Sequence, residues 1–370
     1  MNTILKSLGA LALTSTLAQA GGIDRSGQSI LPIFEKGNYA ELSFGSISPS
    51  VSGVAVAALG GFSSGDMAPD YTQYSLAVKT SLSANLDFGL ILDQPFGADV
   101  AYPVLAAPPA VYYAAGSTAK LTTSALTAIV KYRTAKNISV YGGLRYQTMQ
   151  ARARIPFIPG GGYNVASSSE SDLGYLVGVA FEKPEIALRV ALTYNSKIKH
   201  AFDTIETSVF TGGVPTASVT NVATPQSVNL DFQSGVNKKT LVFGSIRWVD
   251  WSSFNINPPF YPPAGPLVSY DKDTITYSLG VGRKLSENWS AAVTLGFEKA
   301  TGGFASNLGP TDGKKSISVG ASYTKNNMKI SGGVSYVDIG DTQTTLGAGA
   351  AANFSGNKAT AFGLKISYAF

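Results

Sequence analysis

The chain has 370 residues and a formal net charge of +5, and only 14% of its residues are charged, against about 25% in an average soluble domain, which would leave a water-facing surface short of charge. Cysteine is absent, which excludes a disulfide framework, a thiolate metal site and a cysteine nucleophile, and the lysines and arginines are scattered singly, so nucleic-acid binding has no support. After residue 20 no apolar run approaches the roughly 20 residues that a membrane helix needs, so helical membrane spans are excluded as well.

In chain order, a signal-peptide pattern comes first. Lys6 precedes an apolar stretch at 8–17, and Ala18-Gln19-Ala20 offers small residues for cleavage before Gly21-Gly22 ends the pattern, so residues 1–20 are read as a signal peptide. Apolar and polar residues then alternate with a period of two in run after run. Each run is about ten residues long, the length a tilted strand needs to cross the hydrocarbon layer. Strands are predicted over 38–56, 71–81, 85–93, 119–133, 138–154, 171–181, 186–202, 225–236, 240–253, 273–284, 289–299, 314–324, 328–338 and 360–370, fourteen in all. Tight turns such as Ser83-Ala84, Ala135-Lys136-Asn137 and Lys325-Asn326-Asn327 alternate with long connections. In the last strand Phe362, Leu364, Ile366, Tyr368 and Phe370 point one way and Ala361, Gly363, Lys365, Ser367 and Ala369 the other. With so little charge on either face, this pattern describes an all-β transmembrane antiparallel β-barrel in the outer membrane of a Gram-negative bacterium. Turns lie on one side of the membrane, loops on the other, and closure removes edges that lipid could not hydrogen-bond.

Several stretches carry a family resemblance. Ser245-Ile246-Arg247-Trp248-Val249-Asp250-Trp251-Ser252-Ser253-Phe254, preceded by Pro225-Gln226-Ser227-Val228-Asn229-Leu230, has a Trp-x-x-Trp-Ser-x-Phe ending. Leu285-Ser286-Glu287-Asn288-Trp289, Pro310-Thr311-Asp312-Gly313-Lys314, Ser46-Ile47-Ser48-Pro49 and Gln94-Pro95-Phe96-Gly97 add to it. Together they resemble the FadL/TodX-type outer-membrane transporters of long-chain fatty acids and other hydrophobic compounds. The resemblance implies a fourteen-stranded barrel over 38–370, an N-terminal hatch in the lumen, an external hydrophobic groove, and a kinked third strand that opens sideways into the bilayer. Only residues 21–37 are left for the hatch, which is shorter than the family pattern and lacks its Asn-Pro pair. The C-terminal Phe370 resembles the tail signal read by the outer-membrane barrel assembly machinery.

A fatty acid needs an apolar slot for its tail and a cation or donor for its carboxylate, because an unpaired buried charge is costly. For the tail, the loop residues Ile155, Phe157, Ile158, Phe210 and Val214 are greasier than exposed loops should be; they form a capture groove or pack together to seal the barrel top. For the head group, Arg145, Arg247 and Lys365 are assigned to the lumen, as carboxylate partners or as partners of Glu298, Asp87 or Asp24. In the hatch, Asp24, Arg25, Ile33 and Phe34 supply mixed polar and apolar plugging contacts.

Enzyme signatures are weak. His200 is the only histidine, which rules out a two-histidine metal site, and it reads as an exposed polar residue at a strand end. The Gly347-x-Gly349-x-x-Ala352 stretch lies in a loop without a βαβ unit. The expectation is therefore a monomeric, passive uptake channel for long-chain fatty acids or similar hydrophobic molecules, in contact with outer-membrane lipids. It has no catalytic residues, metal or cofactor; external loops capture the ligand and the hatch releases it laterally. Uptake of aromatic hydrocarbons, a general porin, an adhesin or structural barrel, and an outer-membrane lipase are the rival readings.

Overall fold

The computed structural model describes residues 22–105, 111–263, 265–347 and 349–370; the segment read as a signal peptide and Gly21 lie outside them. The alternating runs become fourteen strands. They are β1 Tyr39–Ser50, β2 Tyr71–Ser81, β3 Leu86–Asp93 with Gly97–Ala101, β4 Thr118–Arg133, β5 Ile138–Ile155, β6 Tyr163–Ser167 with Glu170–Lys183, and β7 Leu188–Asn195 with Ile198–Thr207. The rest are β8 Thr216–Thr224 with Ser227–Asn237, β9 Thr240–Val249, β10 Thr274–Lys284, β11 Trp289–Glu298, β12 Lys314–Lys325, β13 Met328–Ile339 and β14 Asn357–Ala369. Sequence neighbours pair antiparallel around the wall, and β14 pairs with β1 from Tyr39 opposite Ala369 to Ser50 opposite Lys358, which closes the barrel.

Pleating explains which side chains meet lipid. Phe362, Leu364, Ile366, Tyr368 and Phe370 are all exposed on the outer wall, as are Leu42, Phe44, Leu144, Leu279 and Leu295. Tyr146, Tyr175 and Tyr194 cap this apolar band toward the long loops, the position of an interfacial girdle. The lumen face carries Thr, Ser, Asn and charged residues, paired with one another. Near the short turns Asp87 holds Lys79 at 2.6 Å, Lys131 at 3.2 Å and Arg133 at 3.3 Å. Asn137 and Asn326 sit in the tight turns with φ of 61° and 53°, a conformation asparagine tolerates.

The strands depart from the expected runs at four places, where β3, β6, β7 and β8 each fall into two pieces. Tyr163–Ser167, Thr216–Thr224 and Gly97–Ala101 had no predicted strand. The first strand ends at Ser50, and residues 53–55 join a small sheet with Phe304–Ala305, Thr342–Leu346 and Gly349–Phe354 over the long-loop end. The ninth strand stops at Val249, and Trp251–Ser253 turn as a short 3-10 helix. The long loops pack into a cap: Tyr102 stacks on Tyr112 at 5.5 Å, and its hydroxyl donates to the Asn307 carbonyl at 2.6 Å.

Candidate functional site: a plugged lumen beside a broken strand

Hatch residues 22–37 fold back inside the barrel, where a short 3-10 helix, Leu31–Phe34, presents Ile33 and Phe34 to the wall. Phe34 meets Tyr141 edge-on at 5.6 Å, and Lys131 and Arg189 each sit 4.9 Å over its ring, so the ring buries apolar area and faces two cations. Burial pushes the Glu35 carboxyl above its usual range, against the pull of Arg189 and Lys329.

Next to the hatch, β3 is broken. Its ladder with β2 runs from Ser81 opposite Asp87 to Leu76 opposite Leu92 and goes no further, whereas both pieces of β3 stay paired with β4. Pro95 removes a ladder donor at the break. The hatch takes up the freed groups: Arg25 N–H donates to the Pro95 carbonyl at 2.9 Å, and Gly97 N–H donates to the Ile23 carbonyl at 2.9 Å. Arg25 then reaches across the gap, its guanidinium 3.8 Å over the Tyr71 ring of β2 and 3.1 Å from Asp99 of β3. A Cβ on Gly97 would lie 2.5 Å from Arg25 Nε, so any side chain there displaces the guanidinium.

The Trp-x-x-Trp ending is part of the same assembly. Trp251, buried, packs edge-on against Phe96 at 6.0 Å and Phe254 at 5.7 Å. Gly22, in the left-handed region at φ 56°, lies flat on its indole. The motif thus seats the beginning of the hatch against the break in β3.

Among the described residues, one space in the lumen lies on each side of the hatch. The outer chamber, about 730 Å³ including its mouth, has Ile23 in its wall and is mostly apolar, with Leu121, Met149, Phe202, Val222 and Phe254 around it. The inner one, about 1320 Å³ including open solvent, is more polar. It is lined by Asp93, Arg189 and Lys365 but also by Phe44 and Tyr74, two outward-facing residues of β1 and β2, so this space reaches the outer wall beside the break.

The three candidate head-group cations fare differently. Arg247 is held by Asp24 at 2.6 Å and also donates to Ser227, Asn229 and Gln28. Lys365 pairs with Glu41 at 3.4 Å, a partner the sequence reading did not name. Arg145 is 3% exposed and donates to Thr127 and Asn195, both at 3.0 Å; among the described residues no carboxylate lies within ion-pair distance of it. Of the named counter-charges, Asp24 takes Arg247, while Asp87 and Glu298 bind lysines elsewhere.

The loop residues do not form one groove. Ile155 and Ile158 are buried with Tyr163 and Leu267, and Phe157 lies edge-on to Tyr113 at 5.6 Å, so these three pack into the cap. Phe210 and Val214 stand exposed on the loop between β7 and β8. The reason is local: residues 156–162 turn back over the barrel mouth, while Ser208 and Thr211 bond each other and hold the next loop as a separate turn. His200 is 1% exposed, contrary to the expectation of a surface residue, because β7 runs on past it to Thr207.

This geometry defines a class: a closed barrel with a plugged lumen, an apolar outer chamber and a gap in its wall. The match of a family model over residues 49–370 identifies the chain as a member of the outer membrane protein transport protein family (OMPP1/FadL/TodX). It is an outer-membrane transporter of hydrophobic compounds, which places it in the Gram-negative outer membrane. The fold is similar to the crystal structure of a Pseudomonas aeruginosa FadL homologue, with a TM-score of 0.75 at 15% identity over 97% of this chain and 98% of that one. It is similar too to the toluene transporters TbuX of Ralstonia pickettii (TM-score 0.66, 14% identity, 99% of both chains) and TodX of P. putida (0.67, 13%, 99% of both chains). No curated protein sequence matches the chain.

Proposed function

We propose that the channel takes up long-chain fatty acids and related single-chain amphiphiles passively. External loops gather the ligand, the outer chamber holds its tail, and release is sideways between β2 and β3 once the hatch withdraws Arg25. The observation that carries this reading is Arg25 itself, bonded by its backbone to the β3 break and spanning the gap with its side chain. Arg145 feels the charge of the buried Asp93 but makes no direct ion pair, and a buried cation so placed has donors to offer a ligand carboxylate, which makes it the lumen group best suited to one. Arg247 and Lys365 already have counter-ions and serve chiefly to seat the hatch and brace the wall. Of the loop residues, Phe210 and Val214 remain free to meet ligand, and Ile155, Phe157 and Ile158 shape the cap above the chamber. The channel acts as a monomer without a catalytic step, inserted by the barrel assembly machinery through its C-terminal strand.

Uptake of radiolabelled palmitate and toluene by cells carrying the wild type, Arg145→Gln or Arg25→Ala tests the reading. Palmitate uptake should fall at least tenfold in Arg145→Gln, the loss of one charged hydrogen-bonded contact of about 1.5–3 kcal/mol. Toluene taken up in preference to palmitate, with no effect of Arg145→Gln, overturns the fatty-acid assignment in favour of the aromatic class that two of the similar folds carry.

A further inference from the structure

The wall has a second discontinuity, between β6 and β7. Their ladder runs from Leu188 opposite Lys183 to Asn195 opposite Leu176, stops, and resumes from Thr204 opposite Ser167 to Thr207 opposite Asn164. Both segments belong to one register, so the interruption is not a slip between these two strands. Its cause is the pleat. In the lower half of β7 the odd residues Ala191, Thr193 and Asn195 face the lumen, whereas in the upper half the even residues Ile198, His200, Phe202, Thr204 and Glu206 do. β8 changes face at the same height, between Thr224 and Ser227, so the β7–β8 ladder survives with Ile198 opposite Thr224 and Asn195 opposite Ser227. β6 changes face higher up, near Ser168: Leu176 and Ala180 face inward below it and Tyr163 above. Between the two heights the strands are out of phase. Continuing the register sets Leu173, 65% exposed, opposite Ile198, 3% exposed, and residues pointing to opposite sides of a sheet cannot share a ladder.

The resulting seam, residues 169–174 against 197–202, is closed by side chains. Ser168 N–H bonds the Asp203 carbonyl at 2.8 Å at its upper end, and Ser196 N–H bonds the Tyr175 carbonyl at 2.9 Å at its lower end. Between them Ile198 covers Gly174, whose added Cβ would lie 2.5 Å from it. His200 Nδ1 lies 3.1 Å from Asp172 Oδ2, and His200 Nε2 lies 3.1 Å from Gln147 Nε2. The outer chamber meets the upper end of this seam, with Phe202 and Thr204 of β7 on one side and Ser167 of β6 on the other, and Met149 and Ala151 of β5 beyond it. The His200 ring stacks on Phe202 at 5.7 Å, so the latch touches the chamber wall.

We propose that this seam is a second lateral port, through which single-chain amphiphiles pass between the outer chamber and the lipid head-group zone just beyond the Tyr175 and Tyr194 girdle, without crossing the hatch. A laddered wall opens only by breaking backbone hydrogen bonds; here residues 169–174 and 197–202 share none, and parting them disturbs Ile198 and the His200–Asp172–Gln147 group instead. A molecule filling the chamber presses on Phe202 and through it on His200. The port rests on the reading that the barrel carries hydrophobic ligands, and it serves exchange with the lipid head-group zone above the hatch, whereas the β2–β3 gap lies beside the hatch.

The cysteine-free chain makes the test direct. Ser171 and Ala201 face outward on the two sides of the seam, one position apart in the shared register, and the variant Ser171→Cys/Ala201→Cys is bridged with a short bis-maleimide or a disulfide. Val242 and Val281, directly paired between β9 and β10, give the control Val242→Cys/Val281→Cys. Heat-modifiable gel mobility shows that each variant has folded. Bridging the seam should lower radiolabelled palmitate uptake severalfold, with recovery on reducing the disulfide, and bridging the control should not. A loosened seam, Asp172→Asn/Ile198→Ala, should raise uptake. Undiminished uptake across a fully bridged seam, in cells whose wild-type channel takes up palmitate, overturns the port and leaves the transport reading intact. A wild type that carries neither palmitate nor toluene overturns the transport reading, and the port with it.

Discussion

The two interruptions of the wall solve one problem in different ways. At β3 the strand breaks at Pro95, and the freed backbone groups are satisfied by another backbone, that of hatch residues 23–25, with Arg25 filling the space between Tyr71 and Asp99. Between β6 and β7 the strands run on, and the interruption comes from two changes of face at unequal heights, held by one backbone bond at each end and by side chains between them. The first closure depends on the hatch, a segment that is not part of the wall. The second depends on residues fixed in the wall. Opening the first therefore requires the hatch to leave, while opening the second requires side-chain movement between two backbone bonds that stay as its ends.

Four variants separate the two closures, in decreasing order of expected effect. Asp24→Ala leaves Arg247 buried without its counter-charge and should destabilise the hatch seat by about 3–5 kcal/mol. Planar-bilayer conductance should rise and amide exchange should speed up at Phe96 and Gly97, while amides at Leu173 and Ala201 keep their rates; equal acceleration at both places would mean that the closures are one unit. Gly97→Ala drives a methyl into Arg25 and should cost about 1–3 kcal/mol by overpacking. The signature is faster exchange at the neighbouring amides of Ala98 and Asp99, on the β3 side only. His200→Leu removes the latch but keeps the apolar bulk, a loss of about 1 kcal/mol for its polar contact; faster exchange across 169–174, with the β3 break unaffected, is the expected pattern. Phe210→Ser with Val214→Ser changes two exposed loop residues and should alter stability by less than about 0.5 kcal/mol. A drop in palmitate uptake without loss of stability would assign that loop a part in capture.

The lower wall was the legible part of the fold, because lipid on one side and lumen on the other impose strict alternation on residues such as 360–370 and 289–299. Thr216–Thr224 and Tyr163–Ser167 escaped because they lie beyond the girdle tyrosines, where no lipid demands a greasy outer face. The changes of face at Ser196 and Ser168 register in sequence only as a lapse in alternation, which is also how a strand end reads. Arg145, Arg247 and Lys365 were placed in the lumen by strand parity, but parity says nothing of partners. Glu41 meets Lys365 across the β1–β14 closure, and Asp24 meets Arg247 from 223 positions away, pairings that only the closed barrel creates. Ile155 and Ile158 were distinguishable from Phe210 and Val214 only once the loops had a direction.

Trp251, the residue that seats Gly22 and Phe96, also makes the molecule its own optical gauge. The chain has three tryptophans. Trp289 faces outward at the membrane boundary, Trp248 is partly buried beside Asp273, and Trp251 alone is enclosed between the hatch and the broken strand. In a Trp248→Phe/Trp289→Phe background, the remaining emission comes from one indole whose surroundings change from dry to wet when residues 22–25 withdraw. A red shift on adding ligand would time the movement of the hatch directly, without any label attached to the protein.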